Sequence, residues 1–161
     1  MPDIFTATGT KFAIGPAATS ATDTAGEYAA LTPWVEVDMV RSIGAFGDAE
    51  EILRYEVISS NRRLKSKGIS DAGDPELVLA HAPDDLGQAA LLAASQTKNA
   101  YAVRVTLPNR LNPTGTDEIR YFRAIIGKPR LSALTNDAFI EDTYTIGITS
   151  PIVIVAPTAG V

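Results

Sequence analysis

Pro83-Asp-Asp-Leu-Gly-Gln-Ala-Ala-Leu-Leu-Ala-Ala-Ser95 is the stretch that decides the fold. Its length and alanine–leucine content predict a helix. Asp84 or Asp85 can cap it, Asp85 and Gln88 have the spacing of a capping box, and acids in the first turn oppose the helix dipole favourably. Leu86, Ala90 and Ala93 form one stripe, widened by Leu91 and Leu92, which predicts a helix lying against a sheet. The alanines allow close approach. Gly87 costs roughly 1 kcal/mol relative to alanine in a helix interior.

Strand-like runs flank this helix. Glu76-Leu-Val-Leu-Ala80 precedes it. After it, Tyr101, Val103, Val105 and Leu107 share one face of a strand, opposed by Arg104 and Thr106. In Glu118 to Ile126, Tyr121, Arg123 and Ile125 alternate with Arg120, Phe122 and Ala124. Gly127-Lys-Pro129 interrupts that run, because proline cannot donate to a ladder. From Ile140 to Val155, Ile140, Tyr144, Ile146 and Ile148 oppose Thr143, Thr145 and Thr149. Upstream, Val35, Val37 and Met39 lie on one face of a strand from Trp34 to Arg41, with Trp34, Glu36 and Asp38 on the other. Lys11 to Ile14 is a first strand, and Ala17 to Leu31 is expected as an exposed loop. A single helix among strands, with no second crossover helix, predicts an α+β fold: a mainly antiparallel β-sandwich or open barrel with one packed α-helix.

The 161 residues fit one domain, and 45% apolar with 20% charged residues is a globular composition. Residues 1–10 are expected as a flexible N-terminal arm and 156–161 as a C-terminal tail. The segment 48–74 is unusual. Glu50 to Ile58 is acidic and strand-like, whereas Asn61 to Gly68 carries Arg62, Arg63, Lys65 and Lys67. A long hairpin or extended loop with this charge layout reaches beyond a compact domain. Long ordered loops are usually functional; the plainer reading is a solvated charged face.

Composition also excludes much chemistry. A net charge of −5 gives no basic footprint for tight nucleic-acid binding. No cysteine is present, so disulfides and thiolate metal sites are excluded. No apolar run approaches the ~20 residues that span a bilayer. His81, the one histidine, lacks partners for a base or ligand site and reads as structural. Gly44-Ala-Phe-Gly47 lacks the ending of a phosphate loop, and Asp71 with Asp74 lacks the regular spacing of a calcium loop. Glu50-Glu51, Asp84-Asp85 and Glu141-Asp142 are adjacent acids that do not converge, so none is an acid–base dyad. No enzyme, cofactor or metal is expected.

The order of elements resembles the major tail tube proteins of long-tailed bacteriophages and gene-transfer particles. The resemblance runs from Trp34 to Val155. It is clearest in the helix with Gly87-Gln-Ala-Ala-Leu-Leu92, the strand ending in Leu107-Pro-Asn109, and Tyr121-Phe-Arg-Ala-Ile-Ile-Gly-Lys128. It implies a subunit that assembles into stacked, hexameric rings around a lumen through which DNA passes transiently. The same fold serves contractile tails and type VI secretion tubes, and a tail-completion or connector ring is an alternative. A small-ligand-binding β-sandwich is a further one. The resemblance further implies tape-measure and tail-initiator partners, no membrane insertion, and a place in the virion tail after assembly in the bacterial cytoplasm. Under it, Arg54, Arg62, Arg63, Lys65 and Lys67 become inter-subunit contacts, with the 48–74 loop reaching across to acids on a neighbour. Glu36 and Asp38 become lumen-lining acids, which would keep the wall from holding phosphates.

Overall fold

The strand Glu141–Ile148 carries the architecture, because its two halves pair with different neighbours. In this computed structural model, which describes residues 2–19 and 22–161, the elements run β1 (Lys11–Ala17), α1 (Ala25–Ala30), β2 (Val35–Val37), β3 (Val40–Ile43), β4 (Ala49–Tyr55) and β5 (Leu64–Asp71). Then follow β6 (Glu76–Ala80), α2 (Leu86–Ser95), β7 (Ala100–Leu107), β8 (Glu118–Ile126), β9 (Arg130–Leu131), β10 (Glu141–Ile148) and β11 (Val153–Val155). The first half of β10 pairs antiparallel with β6 and the second half with β8. One sheet therefore bends into two layers, in the order β2-β1-β7-β8-β10-β6-β3, with β11 added to β8 and β9 to β10. All the pairings are antiparallel.

The core lies between those layers. Phe12, Ile14, Val103, Val105, Phe122, Ala124 and Ile126 meet Leu77, Leu79, Tyr144 and Ile146, all nearly inaccessible. Helix α2 adds Leu91 and Ala94 to this cluster. Its buried residues are Gly87, Gln88, Leu91, Ala94 and Ser95, so the packed stripe is offset from the one expected through Leu86, Ala90 and Ala93. Leu86 is 78% exposed. The reason is backbone contact: a Cβ on Gly87 would stand 2.5 Å from Val37 Cα and against the Glu36 carbonyl. Here the glycine permits packing that any side chain would block.

Two local expectations differ from what is found. The strand expected from Trp34 to Arg41 is broken, because Met39 adopts φ 60°, a left-handed conformation uncommon for such a side chain. Met39 consequently points out of the core at 65% exposure, and Asp38 belongs to neither strand. The stretch expected as an exposed loop contains α1, a second helix. Thr24 caps it by accepting from Glu27 N, while Glu27 accepts from Thr24 N at 2.9 Å in a reciprocal capping box. Tyr28 is wholly buried and stacks on Tyr121 at 5.3 Å, forming a second small core with Ala102 on the outer face of the β7–β8 layer. Trp34 packs at its edge, with the Arg104 guanidinium 5.0 Å above the indole. Met1 of the expected arm and Ser20-Ala21 of the expected loop lie outside the described residues.

Candidate assembly surface

Strands β4 and β5 pair only with each other, in a two-stranded sheet separate from the main one. Every residue of β4 is exposed. An isolated hairpin of this kind is marginally stable in water and gains independent stability only by packing on something. Its base is well anchored: Gly47 N donates to the Ala72 carbonyl, and Asp48 accepts from Ile152 N. Ala72 is buried in the main core. The blade thus projects from a fixed root.

Register divides the blade into two faces. Leu53 opposite Ser66 and Tyr55 opposite Leu64 place an apolar row on one side. Ile52 opposite Lys67 and Arg54 opposite Lys65 place a basic row on the other. Lys67 is bound to Glu50 at 2.7 Å, and Arg63 to Glu56 at 2.5 Å. Such exposed pairs contribute about 0–1 kcal/mol each. Arg54, Arg62 and Lys65 make no ion pair among the described residues. All five bases therefore sit on one hairpin, two of them already engaged within it. The apolar row went unnoticed in the sequence, because Leu53, Tyr55 and Leu64 look like ordinary core residues until their strand is seen to stand alone.

Glu36 and Asp38 lie elsewhere, near the edge strand β2. Glu36 is 4.0 Å from Lys11. Asp38 is held through its backbone: its N donates to Asp85 at 3.3 Å and its carbonyl accepts from Gln88 Nε2 at 3.3 Å. The two acids are exposed but do not share one strand. Asp85 caps α2 by accepting from Gln88 N at 2.9 Å. Gln88 does not complete the box; its side chain accepts from Ala82 N and donates to the Ala80 carbonyl, stitching the helix to β6.

Elsewhere the ionisable groups are structural. His81 Nδ1 lies 2.6 Å from Asp142, cross-linking the end of β6 to β10. Burial, with the Asp142 charge second, pushes the Tyr144 phenol up. Hydrogen bonding from Arg110 holds Asp117 below the usual carboxylate range, and the same contact raises Arg110. Backbone donors at Asp23 and Thr24 hold Glu27 low. A cleft of about 560 Å³ lies between the N-terminal segment and β3, lined by residues including Thr8, Val40, Ile43, Phe46 and Leu107; its Arg41 is engaged by Glu141 at 2.7 Å. Among the described residues no cluster of potential metal ligands forms, and no helix is long and apolar enough to cross a membrane.

A sequence profile of the phage tail tube proteins matches residues 4–157. The chain belongs to the phage tail tube protein family. It is thereby a structural component of the virion tail, with a β-rich fold. No sequence among the curated proteins matches it. Solved structures of this tail tube protein's fold include a chain of the anti-feeding prophage baseplate, with 8% identity and a TM-score of 0.68, covering 97% of this chain and 98% of that one. A chain of the sheath/tube terminator of an extracellular contractile injection system has 11% identity and a TM-score of 0.65, covering 96% and 99%. The SPP1 tail tube has 14% identity and a TM-score of 0.63, covering 91% and 76%.

Proposed function

We propose that this tail tube protein assembles with itself into stacked hexameric rings, forming the hollow tube through which DNA is delivered. The observation that carries the reading is the β4–β5 blade, rooted firmly in the fold yet exposed along all of β4 and amphipathic by register. A marginal hairpin with an uncovered apolar row acquires its missing packing from another subunit. Its basic row, with Arg54, Arg62 and Lys65 unpaired, gives that contact a charge preference, with Arg63 and Lys67 at its margin. The antiparallel sheet has free edges at β2 and β3, and closing a ring would cover them. The anti-feeding prophage baseplate that shares the fold was solved with six-fold symmetry, which supports the ring number.

In this reading Glu36 and Asp38 line the lumen. Carboxylates there would repel passing phosphates and keep the wall from binding DNA. Tape-measure and initiator proteins set the length and start of the tube, and assembly precedes release from the host cytoplasm. Similarity of fold to terminator and baseplate chains favours one second reading, a single ring that caps or joins the tube. Negative-stain electron microscopy of the concentrated protein, with light scattering on a sizing column, separates the two. Hollow tubes are expected; single rings that never stack would replace this reading with the second.

A further inference from the structure

The segment from Asp23 to Trp34 crosses the outer face of the β7–β8 layer as a strap held at few points. Helix α1 has six residues, too few to be stable in water without tertiary support. Within the helix one side chain supplies that support: Tyr28, wholly buried and stacked on Tyr121. Its hydroxyl stands 3.5 Å from Ser150 Oγ, at the limit of a hydrogen bond. Leu31 and Trp34 pack half-buried at the rim. Among the described residues a single ion pair ties the strap to the sheet, Arg123 Nη2 donating to Asp23 at 3.2 Å.

Beneath the strap the sheet is not fully satisfied. Ala102 and Arg123 stand opposite each other on that face, and the Arg123 side chain is only 13% exposed. Arg123 Nε and Trp34 Nε1 are buried and find no hydrogen-bond partner among the described residues. A buried donor left unpaired bears the full cost of its lost water. Closure of the strap therefore sets the burial of Tyr28 and one ion pair against two stranded donors, and opening returns both donors to water. We infer that Asp23 to Trp34 is a latched strap, which opens as one unit while the two-layer core stays folded, with Asp23 on Arg123 as its latch. Opening is all-or-none along α1, because the helix has no second buried side chain to keep it wound once Tyr28 leaves. It also inverts the charge of the surface. The closed strap presents the exposed acids Asp23 and Glu27. The open face presents Tyr121 and Ala102, with Arg123 beside Arg104, the residue that opposes Tyr121 in register. The strap runs directly into the free edge strand β2, so the surface beside that edge has two states in the free subunit, whether or not the subunit forms tubes.

Because the chain has no cysteine, a single thiol can report the opening. Ala102→Cys places one under the strap and Ala124→Cys one in the main core, both at sites of 0% exposure. Under native conditions a thiol reagent is expected to label Ala102→Cys at least about tenfold faster than Ala124→Cys, since local opening precedes global unfolding. Asp23→Ala should speed the first by about two- to fivefold, as loss of a half-exposed ion pair implies, and leave the second unchanged. Equal labelling of the two thiols, or a common acceleration of both by Asp23→Ala, overturns the inference. Amide exchange of the wild type repeats the test without a core substitution. Tyr28 N and Leu31 N, bonded to the Thr24 and Tyr28 carbonyls, are expected to exchange well ahead of the amides of β7 and β8. Protection at Tyr28 equal to that of β7 and β8 overturns it as well.

Discussion

Arg54 and Lys65 stand directly opposite each other across the β4–β5 blade, and neither has an acidic partner among the described residues. Like charges in register destabilise a strand pair by some tenths of a kcal/mol, and opposite charges stabilise it by roughly 0.2–1 kcal/mol. Arg54→Glu should therefore firm the isolated hairpin, raising amide-exchange protection in β4 and β5, while abolishing polymerisation followed by light scattering. Undiminished polymerisation would show that the basic row is solvated surface and nothing more.

Gly87→Ala separates two opposed effects. Helix propensity alone predicts stabilisation of up to about 1 kcal/mol. Contact of the new Cβ with the backbone at Glu36 and Val37 predicts a loss instead, of the order of 1–3 kcal/mol for overpacking. The loss is expected to win, because two backbone segments must move apart. The urea midpoint decides; an unchanged or higher midpoint would mean that α2 sits further from β2.

Gln88→Ala removes one side chain that serves Ala82 N, the Ala80 carbonyl and the Asp38 carbonyl. Leaving these part-buried backbone groups unpaired costs up to about 1–3 kcal/mol, the range for a fully buried group being its ceiling. Stability should fall by this order, and amide exchange should rise at Ala82. A change confined to α2 itself would contradict the link.

How much of this was legible in the sequence follows from the range of each signal. Alternation placed β7, β8 and the Tyr144, Ile146 and Ile148 face of β10 correctly, because these faces are buried by one continuous core. The single run expected from Ile140 to Val155, however, starts with an exposed Ile140 and breaks after Ile148, β11 pairing with β8 instead. The sequence offered Asp84 or Asp85 as the cap of α2, and the structure uses Asp85 without closing the box through Gln88. The face of α2 was not legible, since Leu86 outscores Gly87 in hydrophobicity while packing here depends on a missing side chain. Met39 continued the strand's alternation on paper, yet its left-handed backbone turns the chain between β2 and β3. Helix α1 was legible in principle: Thr24 and Glu27 have capping-box spacing, but the small residues around them carry no periodic signal. The basic residues of 48–74 were visible, whereas the apolar row beside them needs strand register, which sequence alone does not supply.

The α1 box also sets a pH dependence. Glu27 has its folded pKa lowered by backbone donors, so its contribution is full above the unfolded carboxylate value, near 4.5, and is lost as pH falls through the lower folded value. Stability of wild type relative to Glu27→Gln should be greater at neutral pH and converge toward the variant in acid. Trp34, the single tryptophan, sits beside this helix's core and gives the fluorescence readout. A difference independent of pH would exclude the ionised box as its source.

Glu36→Lys should leave tubes intact and slow genome delivery, since a cation in the wall would hold phosphate. Normal delivery kinetics in complemented particles would remove Glu36 from the lumen.

The most direct measurement is electron microscopy of the wild type beside a variant in which residues 50–70 are replaced by a short glycine linker. The root of the blade, with Gly47 bonded to Ala72, is retained. Tubes from the wild type and a folded, persistently monomeric variant are predicted. Tubes of ordinary length from the variant would contradict the claim that this blade joins the subunits.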